Sequence, residues 1–119
     1  MPWLRWIEWF SGRPKGLLAP NMAITLVTLR IAPAAVTDEV SFYRSAEYDK
    51  LLEWARMGRF ILALASTERD ELTLLCIQSP EEMHALVAEL PLVAAGLATV
   101  DIRPAMSLRM DEEEFGALQ

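Results

Sequence analysis

Residues Arg59–Glu82, RFILALASTERDELTLLCIQSPEE, hold the reading that decides the fold. Two apolar stretches, Arg59–Ser66 and Glu71–Gln78, flank the polar tetrapeptide Thr67-Glu68-Arg69-Asp70. So short a loop between two strand-forming runs predicts an antiparallel hairpin. Ser79-Pro80-Glu81-Glu82 then predicts a helix start: a serine N-cap, proline at the first helical position, and a glutamate placed to close a capping box. Met83, Leu86, Val87 and Leu90 form its buried stripe, and Pro91 is expected to end it.

Upstream, Met22–Ala32 (MAITLVTLRIA) reads as a strand whose alternating sets, Ile24 with Leu26 and Ala23 with Val27, Leu29 and Ile31, are both largely apolar. Thr37 is the expected N-cap of a helix running to about Met57, with Asp38 and Glu39 in the first turn, where the helix dipole favours anions. Val40, Tyr43, Leu51, Trp54 and Ala55 make its buried side, and Gly58 supplies its stop. Downstream, Ala98–Pro104 predicts a last strand with Val100 and Ile102 turned inward.

The order β-α-β-β-α-β is the split βαβ arrangement of an α+β, ferredoxin-like fold with an antiparallel four-stranded sheet. Two helices cover one face of such a sheet. Leu, Ile and Ala on the other face predict a second sheet packed against it, as in a dimeric α+β barrel or a larger ring.

Chain length and composition agree with one domain. The 119 residues are 53% hydrophobic, carry a net charge of −6, and include a single cysteine and a single histidine. Nucleic acid is a poor partner for such a surface, which lacks a basic stripe. One Cys and one His disfavour a transition-metal site, and no disulfide can form within the chain. No apolar run reaches the roughly 18–20 residues of a membrane span. The start of the chain lacks a signal-peptide pattern, so a soluble, cytoplasmic protein is the expectation.

Three segments follow. Residues 1–21 are a Trp-rich amphipathic extension and linker, in which Trp3, Trp6, Ile7 and Phe10 share one helical face able to pack within an oligomer, on a protein partner or on a membrane surface. Residues 22–106 are the folded domain. Residues 107–119 are an acidic tail, Asp111–Glu114, with Phe115 and Leu118 as possible hooks onto a neighbour.

Ser79–Arg103, SPEEMHALVAELPLVAAGLATVDIR, resembles the C-terminal half of muconolactone isomerases: an acidic helix start, Met83-His84, Leu90-Pro91-Leu92, and a closing strand that runs into Pro104. Glu47, Glu53, Arg56 and Gly58 fall at that family's Glu-x5-Glu-x2-Arg-x-Gly spacing, and Phe60 follows where the family has tryptophan. Val93–Gly96 is similar to a stretch of the wider dimeric α+β barrel superfamily. The resemblance covers about residues 22–106 at low identity, and Met22 stands where a family member would begin. It implies a cofactor-free, ring-forming isomerase that shifts a proton between carbons of an unsaturated lactone. Ile61, Leu62, Ala63 and Leu64 depart from the polar and aromatic second strand of the family. That lining suits a more hydrophobic substrate, such as a polyketide- or terpenoid-like intermediate.

Proton transfer beside a carbonyl needs a base, an acid and a donor to the enolate oxygen. His84 is the one imidazole available, or else a helix histidine bonded to a carbonyl. Glu47 is a base if sequestered, or an exposed partner of Lys50 or Arg44. Tyr43 is a phenol donor or a core aromatic with a wet hydroxyl. Asp101 and Arg103, two apart on the last strand, orient a polar substrate group or form a subunit salt bridge. Arg30 joins Arg103 as a candidate to hold a substrate carboxylate. Cys76 reads as core packing. The competing reading is a non-catalytic barrel that binds an apolar ligand or docks on a partner.

Overall fold

A computed structural model describes residues 21–108. The predicted tryptophan face and acidic tail lie outside the described residues. The elements are β1 (Ala23–Ile31), α1 (Thr37–Arg56), β2 (Phe60–Ala65), β3 (Glu71–Cys76), α2 (Pro80–Val87), α3 (Pro91–Ala94) and β4 (Ala98–Met106). The four strands form one sheet in the order β2-β3-β1-β4, with every neighbouring pair antiparallel. This α+β arrangement is compatible with the ferredoxin-like fold.

Alternation along the strands sorts side chains onto two faces. Val27, Leu29, Leu72, Leu74, Cys76, Phe60 and Ala63 point to the helices and pack with Leu51, Trp54, Ala55, Met83, Val87, Leu90 and Leu92 in one core. Pairing registers of Val27 with Ile102 and Leu29 with Val100 extend that face into β4. The opposite face carries Leu26, Thr28 and Arg30 of β1, set beside Leu75, Thr73 and Glu71 of β3. Leu62 and Leu64 continue it into β2, and there they are 38% and 50% exposed. Thr28 and Thr73 link hydroxyls at 3.0 Å across this face, and Arg30 pairs with Glu71 at 3.1 Å.

Helix ends follow local chemistry. Ser79 caps α2 by accepting from the Glu82 amide at 3.2 Å, with Pro80 at the first helical position. At the end of α1, Gly58 adopts φ +71°, the left-handed geometry that glycine tolerates best. Its N–H donates to Ala55 and that of Arg59 to Trp54, the two bonds of a Schellman motif. Gly96, at φ +75°, closes α3 the same way, through bonds from Gly96 to Val93 and from Leu97 to Leu92.

β4 runs past the expected Pro104 to Met106, and two helix boundaries differ from expectation. The N-cap of α1 is Val36, with no side-chain bond, and Thr37 is already helical. Pro91 does not end the second helix, which stops at Val87; it opens the short α3. Proline lacks the N–H that a continuing helix needs, yet its fixed φ suits a first helical position.

Candidate functional site

Glu47 is the most unusual side chain in the core. Val40, Glu47, Leu51, Trp54 and Ala55 fall on one stripe of α1, so helical spacing carries a carboxylate in among apolar neighbours. Only 1% of Glu47 is exposed. Its Oε2 accepts from the Leu92 amide at 2.9 Å, satisfying one of the donors left free in the first turn of α3. Its Oε1 is buried with no hydrogen-bond partner. Desolvation pushes the carboxyl pKa up from 4.5 to about 6, against a smaller lowering by the Leu92 bond. Of the two placements open to Glu47 in the sequence, the structure takes the buried one, and Lys50 pairs instead with Glu53 and Glu89 at 3.7 and 3.9 Å.

Tyr43 lies one turn before Glu47 and is half-buried, its ring edge-on to Phe42 at 5.0 Å. Positions four apart share a helix face, so phenol and carboxyl belong to the same side of α1. Trp54, two turns beyond Glu47, is fully buried, and its indole Nε1 also lacks a partner.

The other sequence candidates lie elsewhere. His84 is exposed on α2. Asp101 and Arg103 meet each other, Nε to Oδ2 at 3.5 Å, on the sheet face turned away from the helices. Arg30 occupies the same face and is engaged by Glu71. Within one chain five of the six candidates therefore form two groups, with the sheet between Glu47 and Tyr43 on one side and Arg30, Asp101 and Arg103 on the other, while His84 stands apart on the exposed side of α2. Burial pushes the Cys76 thiol up to about 12, which leaves it without thiolate character near neutral pH.

Sequence reading passed over a third cluster. Arg59, Gln78, Glu82, Ala85 and Leu86 line a cleft of about 410 Å³ beside α2. The Arg59 guanidinium carbon lies 5.7 Å from the centre of the Trp54 ring, a cation–π contact. The signal was present in Trp54-x3-Gly58-Arg59. A Schellman turn folds the residue after its glycine back onto the helix's last turn, and here that brings Arg59 over Trp54.

Among the described residues, no three of His, Cys, Asp and Glu gather to hold a metal ion, and no helix is long and apolar enough to cross a membrane. No protein-family model and no curated protein matches the chain.

Proposed function

We propose that this protein is a cofactor-independent isomerase or cyclase acting by proton transfer on a hydrophobic, unsaturated lactone- or polyketide-like molecule. The supporting observation is the buried Glu47 carboxyl, with one oxygen fixed by an amide, the other unpartnered, and a pKa near 6. A base tuned close to neutral pH is what carbon-acid chemistry requires. The Glu47 carboxylate takes a proton from a carbon beside the substrate carbonyl, and the C–H electron pair moves onto the carbonyl oxygen as an enolate. The Tyr43 hydroxyl stabilises that oxygen by hydrogen bonding. The Glu47 proton exchanges with solvent, and Glu47 then delivers a proton to a carbon further along the conjugated system, so the substrate is isomerised without net gain or loss.

The resemblance to muconolactone isomerases supports the same chemistry, in a cytoplasmic homo-oligomer whose sheets close a shared barrel. Arg30, Asp101 and Arg103 then serve the sheet-to-sheet contact, and His84 stays outside the reacting group.

The test is deuterium uptake from D2O into a panel of unsaturated lactones, followed by NMR. Glu47→Gln keeps an acceptor for the Leu92 amide but cannot take a proton. It should lower exchange by roughly 100-fold or more, and the wild-type rate should rise with pH through about 6. Wild-type exchange in a folded Glu47→Gln variant would end the proposal.

A second reading, a non-catalytic barrel that binds an apolar ligand or a partner, is favoured by the exposed Leu62 and Leu64 and by the capping work Glu47 already performs. It predicts ligand retention with no deuterium uptake at all.

A further inference from the structure

The cleft beside α2 is built from three elements. Arg59 enters from the turn after α1, Gln78 from the end of β3, and Glu82, Ala85 and Leu86 from one face of α2 at i, i+3 and i+4. Its volume is about 410 Å³, and it opens broadly to solvent. It lies apart from Glu47, which is not among its lining residues.

Its chemistry is dipolar. The Arg59 guanidinium is held over Trp54 by stacking rather than by a carboxylate, so its N–H fork is uncommitted. No salt bridge joins Arg59 to Glu82, although both line the cleft, so their charges stand more than 4.0 Å apart. Ala85 and Leu86 supply an apolar wall. Gln78 is fixed through its backbone carbonyl, which accepts from the Thr25 hydroxyl at 2.6 Å, while its side-chain Oε1 is buried without a partner. An unpaired cation and an unpaired anion beside one apolar wall complement a molecule with a carboxylate at one end and an ammonium at the other.

We infer that this cleft is a second binding site, for a small zwitterion with an aliphatic side chain, of the α-amino-acid class. Arg59 takes the carboxylate through two parallel N–H bonds, and Glu82 faces the ammonium. The aliphatic portion rests on Ala85 and Leu86.

NMR titration of the full chain tests this with three probes: L-leucine, isovalerate (carboxylate only) and isopentylamine (ammonium only). Leucine should shift the resonances of Arg59, Gln78, Ala85 and Leu86 and the Trp54 indole, and bind about tenfold more tightly than either half-molecule. Arg59→Gln should abolish isovalerate binding and lower leucine affinity about tenfold, to that of isopentylamine. Because Arg59 covers Trp54, the exposed Glu82→Gln gives an independent arm: leucine affinity should fall about tenfold, to that of isovalerate, while isovalerate is unchanged. Glu47→Gln should leave leucine binding intact, which separates this site from the proposed isomerase chemistry. No shift at these residues, equal affinity for all three probes, or an unchanged leucine affinity in Glu82→Gln would each overturn the assignment.

Discussion

The Glu47 carboxylate accepts a 2.9 Å hydrogen bond from the Leu92 amide, tying the middle of α1 to the first turn of α3 across 45 residues of chain. That bond gives a buried charge its one partner and a short helix its cap. It also fixes the segment that leads into β4.

Removing the carboxylate should therefore destabilise the fold. Glu47→Ala leaves the Leu92 amide unpaired and opens a void, for an expected loss of about 2–3 kcal/mol by urea denaturation. Glu47→Gln keeps an acceptor and should lose far less.

Stability should also depend on pH through this group. Its pKa is about 6 when folded against 4.5 for an unburied glutamate, so the unfolded chain releases its proton first as pH rises. Stability is fully retained below 4.5, falls between 4.5 and about 6 by about 2 kcal/mol, and then levels off. Glu47→Gln should flatten most of that slope, leaving the part due to Asp70, whose carboxyl burial also pushes up; a slope identical to wild type would show that Glu47 does not cause it.

Gly58 and Gly96 should resist substitution for backbone reasons alone. A Cβ at either position meets nothing within 4 Å, but φ of +71° and +75° disfavours L-residues. Alanine at each site should cost about 1 kcal/mol in chemical denaturation, and asparagine less.

Cys76 is fully buried with its pKa pushed up to about 12, and it is the chain's single cysteine. Labelling by a thiol reagent at pH 8 should follow global unfolding and accelerate in urea in step with it. Fast labelling of the folded protein would contradict the core packing described above.

If a second copy covers the open sheet face, charges there should separate the copies. Leu62→Lys with Leu64→Lys should shift sedimentation to the protomer and lower the thermal transition only by what association contributes, since both side chains are partly exposed in the protomer. A wild-type chain that sediments as a protomer at micromolar concentration would remove the shared-barrel proposal.

Local chemistry fixed much of the framework. The hairpin was legible in two apolar runs around Thr67–Asp70, α2 in Ser79-Pro80-Glu81-Glu82, and the end of α1 in Gly58, because each depends on residues adjacent in the chain. The turn of Val100 and Ile102 toward the core followed from strand alternation, and with it the opposite placement of Asp101 and Arg103. Pro91 was misread because its chemistry ends one helix and begins another equally well.

Tertiary structure alone decided the fate of Glu47. Helix spacing allows a glutamate at that position to face solvent or core, and only the Leu92 amide, 45 residues away, makes the core tolerable. It likewise decided that Glu47 and Tyr43 lie across the sheet from Arg30, Asp101 and Arg103. Sequence supplies residue types and local geometry; the desolvation and pairing that give a carboxyl its chemistry arise only when distant segments meet.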